Sequence, residues 1–410
     1  MCILAGNTFW TTLALGPDCP IYWAVLSFLP ASMARRRSSV SVLAILALLH
    51  LYIGLRLLPA MEVGVVGAVL GIVLLAASAG LVRIGLVAPS LRRTRWSEPL
   101  AWAGLLAMGL FSSLLVLTLV RDLVLLVMHL AGAGKPGVMR DSAIAVPLVA
   151  LAVTAIGFVN ARRLARVVKV EVPIAGLPAP LHGYSIAQIS DIHVGPTIKR
   201  PYLNAIVDRV NGLKADAIAI TGDLVDGSVQ RLAPHTEPLK RLAAPDGTFF
   251  VTGNHEYYSG AEQWVAELRR LGLRVLMNEH VICRRDDAAI MIAGVTDYSA
   301  QHFNPLHKSD PQQAAAGAPS GVAVRVLLAH QPRTAPAAAE AGFDLQLSGH
   351  THGGQFFPWN LFVPLQQPFV AGLNRVKSLW VYTSRGTGYW GPPKRFGAPS
   401  EITLVTLVPA

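Results

Sequence analysis

The chain has 410 residues, 52% of them apolar, a mean hydropathy of +0.46 and a formal charge of +11. That is too apolar for an ordinary soluble enzyme. The charge is also uneven: residues 1–170 carry 15 Lys and Arg against 5 Asp and Glu, whereas residues 171–410 carry 20 against 19. A basic excess confined to an apolar half argues against a nucleic-acid partner and for the flanks of membrane helices. Cys2, Cys19 and Cys283 form no CxxC pair, which leaves no disulfide framework and no thiolate metal site.

In chain order, an N-terminal segment, 1–39, comes first. Pro17, Asp18 and Pro20 argue against a span there, and Met33-Ala34-Arg35-Arg36-Arg37 resembles a translation start with a basic flank. The same pattern suits an export signal, but the three further spans downstream make cleavage the weaker reading. Four apolar runs follow, at 40–58, 61–82, 100–120 and 142–160. Each approaches the ~20 residues that a bilayer crossing needs. Buried soluble helices are the alternative, and four runs in succession with Arg clusters between alternate pairs count against it. Gly67-x-x-x-Gly71 would permit close helix contact. Arg35, Arg36 and Arg37, then Arg92, Arg93 and Arg95, then Arg162, Arg163, Arg166 and Lys169 fall on one side of the predicted bundle; the opposite loops hold only Lys135 and Arg140. The positive-inside rule then predicts a multi-pass inner-membrane protein with residues 161–410 in the cytoplasm. The ionisable residues Arg56, Arg83, Arg121 and Asp122 fall near span ends, so no transport path is expected. The region 40–160 reads as a membrane domain that anchors the chain and contacts lipid substrate. A Pro-containing linker, 161–180, and a second domain, 181–410, complete the expected organisation.

In the second half, apolar strands alternate with helical patterns, and a polar motif falls where each strand stops. The run 184–189 ends in Ser190-Asp191-Ile192-His193. The run 217–220 ends in Thr221-Gly222-Asp223-Leu224-Val225-Asp226. The run 248–251 ends in Thr252-Gly253-Asn254-His255-Glu256. Later, 324–328 leads to Ala329-His330-Gln331-Pro332, and 345–347 leads to Ser348-Gly349-His350-Thr351-His352-Gly353-Gly354. In α/β folds, ligands collect at the carboxyl ends of strands. The spacing of the first three motifs matches strand–helix–strand units of ~30 residues. Asp191, His193, Asp223, Asn254, His330, His350 and His352 thus form one candidate set. It offers carboxylate, amide and imidazole, and no sulfur, which suits divalent Mn, Fe or Zn. Seven ligands exceed one tetrahedral site and suit two ions ~3.5–4 Å apart, which activate water and clamp phosphate oxygens.

Asp-x-His, Gly-Asp-x-x-Asp, Gly-Asn-His-Glu, Ala-His-Gln-Pro and Gly-His-Thr-His, in this order, resemble the motif set of the calcineurin-like metallophosphoesterases, and the ending Ser384-Arg385-Gly386-Thr387-Gly388-Tyr389-Trp390, with Pro399-Ser400-Glu401-Ile402, resembles the family's bacterial branch with membrane-attached members. The resemblance covers about 181–407. It implies a four-layer α/β/β/α sandwich behind the transmembrane bundle, with two divalent metal ions at the strand ends. It further implies that Asp191, His193 and His352 hold one ion, that Asn254, His330 and His350 hold the other, and that Asp223 bridges. His255 is implied to face the scissile phosphate as acid or charge stabiliser, with Asp226 orienting it.

The other seven histidines have no partner pattern and read as surface or satisfied core residues. Trp264 and Leu268, at helical spacing, read as core. Arg385 and Arg395 are candidates for substrate phosphate, with solvated loop arginines as the alternative. The expected activity is hydrolysis of a phosphoester or pyrophosphate. The substrate can be lipid-linked, as UDP-2,3-diacylglucosamine is for some members of the resembled family, or soluble. A non-catalytic membrane scaffold is the rival from another class, and the unbroken ligand set weighs against it.

Overall fold

The computed structural model describes residues 31–87 and 94–410, with side chains from residue 43 onward. The segment 1–30, Arg92 and Arg93, and the side chains of Met33, Arg35, Arg36 and Arg37 lie outside the described residues.

Four helices open the chain: α1 (Ala31–Met61), α2 (Gly64–Val87), α3 (Ser97–Leu130) and α4 (Val138–Arg162). Each is long and apolar enough to cross a membrane. Their outward faces expose Leu and Val, as at Val66, Leu74, Leu123 and Leu148, the pattern of helices that meet lipid rather than water. α3 covers the apolar run 100–120 and continues through Arg121-Asp122, an extension the sequence allowed. Those charges are satisfied within the bundle: Asp122 pairs with Arg56 of α1 at 2.7 Å, and Arg121 donates to Met139 O and Ser142 Oγ of α4 at 2.9 and 3.0 Å. Backbone meets backbone where Gly85 of α2 packs on Gly104 of α3: a Cβ on Gly104 would overlap Gly85 N, and one on Gly85 would sit 2.7 Å from the Gly104 carbonyl carbon. Of the expected pair, Gly71 packs on the Leu58 side chain of α1, whereas Gly67 meets only Val63 beside it in the chain.

The rest of the chain builds two six-stranded sheets. The elements are β1 (Arg166–Ile174), β2 (Ser185–Ile189), α5 (Arg200–Asn211), β3 (Ala217–Ile220), α6 (Val229–Thr236), β4 (Thr248–Phe250), α7 (Asn254–Ser259), α8 (Ala261–Arg270), β5 (Arg274–Val275), β6 (Glu279–Arg285), β7 (Ala288–Gly294), α9 (Pro311–Ala315), β8 (Val324–Leu328), α10 (Ala335–Glu340), β9 (Leu345–Ser348), β10 (Gly372–Val376), β11 (Leu379–Thr383) and β12 (Glu401–Pro409). The first sheet has the order β1-β12-β2-β3-β4-β5 and the second β10-β11-β9-β8-β7-β6. Parallel pairing joins β2 through β5 in one sheet and β7, β8, β9 and β11 in the other.

Side-chain alternation sets the layers. Ile186 points between the sheets, against Ile290, Val326 and Leu347, whereas Ala187 and Ile189 point outward under α5 and α8, with Leu203, Trp264 and Leu268. The outer face of the second sheet is covered by α9 and α10 through Ala314, Ala335 and Ala338. The result is the expected four-layer α/β/β/α arrangement, and Trp264 and Leu268 are core residues. One stretch departs from the reading: within 161–180, expected as a linker, β1 pairs in parallel with β12 over its whole length, Arg166 beside Glu401 through Ile174 beside Pro409. β1 is an edge strand whose partner lies at the far end of the chain.

Candidate metal centre

Five strands end at one edge and deliver the motif residues there. β2 leads to Asp191 and His193, β3 to Asp223 and Asp226, β4 to Asn254 and His255, β8 to His330, and β9 to His350 and His352. The loops are stitched together: Asp191 N–H donates to Gly222 O at 3.0 Å, His193 N–H to Asp223 O at 3.1 Å and Gly349 N–H to His330 O at 2.9 Å. Asp191, His193, Asp223, His350 and His352 all have left-handed backbone, with φ between 51° and 69°. Non-glycine residues rarely adopt it, and strain of this kind collects at functional sites. Gly349 permits the closest approach, since a Cβ there would overlap the Ser190 hydroxyl and the Asp191 carboxylate.

Three groups of donors form, of which one, His193, Asp226 and His255, is joined by hydrogen bonds through Asp226. Asp191, His193 and His352 are buried together, with His193 Nε2 3.1 Å from His352 Nε2 and His352 Nε2 3.5 Å from Asp191 Oδ1. Asp223, His330 and His350 form the third, with His330 Nε2 3.2 Å from Asp223 Oδ2 and from His350 Nδ1. Asp223 Oδ2 is also 3.9 Å from His193 Nε2, so this carboxylate stands between these last two groups. Asn254 is 5% exposed and its Oδ1 accepts no hydrogen bond. Buried amide oxygens are ordinarily paired. An orphaned carbonyl oxygen on the same strand-end edge as clustered carboxylates and imidazoles fits divalent cations, as does the absence of a thiol from the donor set.

Asp226 bonds two imidazoles. Its Oδ1 lies 2.6 Å from His255 Nδ1 and 3.0 Å from His193 Nδ1. The second of these contacts was not expected from the sequence. Burial opposes ionisation of Asp226, but His193 and His255 outweigh it and hold the carboxyl well below the usual range. For His255, burial disfavours the charged ring, yet Asp223 and Asp226 raise it to about 9. Burial, with His330 beside it, lowers His350 to about 3, leaving it neutral as a ligand must be.

Further groups hold the edge in shape. Glu256 is fully buried and accepts backbone N–H groups of Gly253, Asp223 and Leu224 at 2.7, 3.0 and 2.8 Å. Its sequence signal was its place beside His255, but spacing gave it no role. Tyr258 and Trp390, both partly exposed, set their rings edge-on to His255 at 5.2 and 5.7 Å. Arg395 is neither solvated nor open to substrate. It is 1% exposed, and its guanidinium donates to the carbonyls of His352, Arg385 and Gly388 and to His352 Nδ1. Arg385 pairs with Glu401 at 3.0 Å.

The comparisons with known proteins agree with this geometry. A family profile described as calcineurin-like phosphoesterase matches residues 184–354. The chain is 40% identical over 272 residues to a Danio rerio protein named transmembrane protein with metallophosphoesterase domain, covering 63% of this chain and 62% of that one. It is 39% identical over 229 residues to an uncharacterized metallophosphoesterase of Helicobacter pylori, covering 55% of this chain and 60% of that one. It is 33% identical over 224 residues to an uncharacterized metallophosphoesterase of Aquifex aeolicus, covering 54% of this chain and 84% of that one. The chain thus spans about three fifths of the length of the first two relatives.

Proposed function

This chain belongs to the calcineurin-like metallophosphoesterase family, and from that premise we propose that it is a membrane-anchored hydrolase of phosphoester or pyrophosphate bonds that works with two divalent metal ions. The observation that carries this reading is the position of Asp223 between two donor groups, on the strand-end edge that also carries Asn254 with its orphaned Oδ1. In this proposal Asp191, His193 and His352 would hold one ion, Asn254, His330 and His350 the other, and Asp223 both. The donors suit Mn, Fe or Zn. When bound, such a pair supplies Lewis-acid charge and lowers the pKa of water.

The remaining work falls to the chain's own residues. His255, its Nδ1 fixed by Asp226 Oδ1 at 2.6 Å, would stabilise negative charge on the phosphoryl group and protonate the leaving oxygen. Asp226 fixes His193 in the same way, so one carboxylate orients a ligand and an acid. Tyr258 and Trp390 wall the approach to His255.

The substrate we favour is lipid-linked, a nucleotide–lipid such as UDP-2,3-diacylglucosamine being one example. A cavity of about 80 Å³ runs from His193 and Asp226 past Trp390 to Gly85 of α2 and to Leu105 and Met108 of α3. Membrane helices at the mouth of the site suit a substrate whose phosphate enters while its tail stays in the bilayer. Arg162, Arg163, Arg166 and Lys169 after α4 support a cytoplasmic site on the inner membrane.

The test is hydrolysis of an activated aryl phosphodiester by detergent-solubilised protein with Mn²⁺. The reading requires turnover that a chelator removes, that Mn²⁺ restores and that Asp223→Ala abolishes. Silence with every divalent ion, in protein that binds metal, would leave a non-catalytic scaffold. The lipid-linked reading requires a vesicle-borne phospholipid or nucleotide–lipid to be cleaved faster than its deacylated counterpart.

A further inference from the structure

Directly after the ligand His352, residues 353–374 contain no Asp, Glu, Lys or Arg, in a chain that is 14% charged. The middle of this stretch folds into two short turns, Trp359–Leu361 and Val363–Leu365. They leave Phe357, Trp359, Leu361, Phe362 and Leu365 exposed, Leu365 at 75%. Large apolar side chains gathered on a water-facing surface mark an interaction site.

The neighbour is visible. The Trp359 indole N–H donates to Ser112 Oγ of α3 at 3.0 Å, which lays the loop against a membrane helix. The depth of that contact follows from helix length. α3 has 34 residues, which extend ~51 Å at ~1.5 Å per residue, against ~30 Å of hydrocarbon. Its first part is held by the globular domain: Glu98 pairs with Lys199 at 2.9 Å, and Gly109 packs on Pro392. The bilayer is left with roughly the last 20 residues, the length that a crossing needs; this sets Arg121 and Asp122 inside the span rather than near its end as expected, where Arg56 of α1 and Met139 O and Ser142 Oγ of α4 satisfy them. Ser112 stands 18 residues before Leu130, which puts Trp359 at the boundary between hydrocarbon and headgroups.

We propose that the loop 356–365 inserts Phe357, Trp359, Leu361, Phe362 and Leu365 into the leaflet nearest the globular domain and seats the candidate metal centre at the lipid headgroups. Aromatic side chains favour that zone, with the ring in the apolar layer and any polar atom at its edge. The loop cannot sink or rise without the site. Its N-terminal end continues from His352, and Thr351 Oγ1 donates to Val370 O at 2.7 Å, closing the loop beneath the ligand turn. The inference depends on the membrane bundle and not on the identity of the reaction.

The test uses full-length protein reconstituted in vesicles of phosphatidylcholine and phosphatidylglycerol. Cys2 and Cys19 are replaced by Ser, and the buried Cys283 is kept. Nitroxide labels are placed singly at Phe362→Cys and Leu365→Cys, with Asp287→Cys on an exposed hairpin as the aqueous reference. Power saturation is expected to show stronger relaxation by oxygen than by a water-soluble nickel chelate at 362 and 365, and the reverse at 287. Labels at 362 and 365 as open to nickel as the reference would overturn the proposal. So would labels shielded from both relaxants, which would mean that protein covers the loop.

Discussion

The Arg395 guanidinium donates to the carbonyl and to ring Nδ1 of His352, at 2.9 and 3.1 Å, while the Arg395 backbone N–H donates to Gly157 O of α4 at 2.8 Å. Asn160 of α4 returns a bond to Arg395 O at 3.2 Å. A membrane helix and a candidate metal ligand are therefore joined through a single residue, so the bundle braces the site as well as anchoring it.

Arg395→Lys should weaken Mn²⁺ binding by roughly 10–100-fold, the usual cost of losing a group that orients a ligand. A lysine cannot reproduce the planar fork that reaches several carbonyls at once. Isothermal titration of metal-free protein, with an unchanged circular dichroism spectrum, checks this. Mn²⁺ affinity equal to wild type would refute it.

Asp226→Asn removes the charge that His193 and His255 share at 3.0 and 2.6 Å. The expected loss is ~10²–10⁴-fold in kcat, the range for a general acid–base group. KM for an aryl phosphodiester should change far less. Steady-state kinetics at saturating Mn²⁺ separates the two.

Gly349→Ala places a methyl group on the Ser190 hydroxyl and the Asp191 carboxylate. Both are fully buried and have nowhere to retreat. Overpacking of this kind costs about 1–3 kcal/mol. A lowered Tm and a lost equivalent of bound Mn²⁺ are expected together, read by scanning fluorimetry and metal analysis.

Lys394 is buried between the domains, where its ammonium donates to Gly109 O at 3.0 Å, Thr154 Oγ1 at 3.1 Å and Ser113 Oγ. Burial lowers it from 10.5 to about 8. The folded state therefore binds the proton less tightly than the unfolded one, so this group's destabilising effect is full below about 8 and fades as pH rises toward 10.5. Lys394→Met should match or exceed wild type in Tm at pH 7, with the difference shrinking by pH 9.5. A difference that grows with pH would contradict it.

A C-terminal reporter active only in the cytoplasm should be active on this chain if the Arg and Lys after α4 set its orientation. An inactive reporter, with an N-terminal one also inactive, would invert the proposed topology.

The membrane helices and the motif residues could be read from the sequence because each depends on local composition. A run such as 142–160 is apolar whatever it packs against. Asp-x-His after a strand pattern sits at a strand end in any α/β sheet. β1 could not be read so, because Val167, Val170 and Val172 pair with β12, more than 230 residues later. The same holds for Arg395. Nothing beside it in the chain marks its partners, which are carbonyls of distant residues and one imidazole.

Side-chain chemistry and its order along the chain thus determined the kind of site and the kind of anchor. Only the tertiary structure decided that Asp226 serves two rings, that Gly85 meets Gly104, and that the 356–365 loop lies against α3. The reason is that sequence fixes what each residue can offer, whereas a contact between remote segments is set by how the sheets and helices pack.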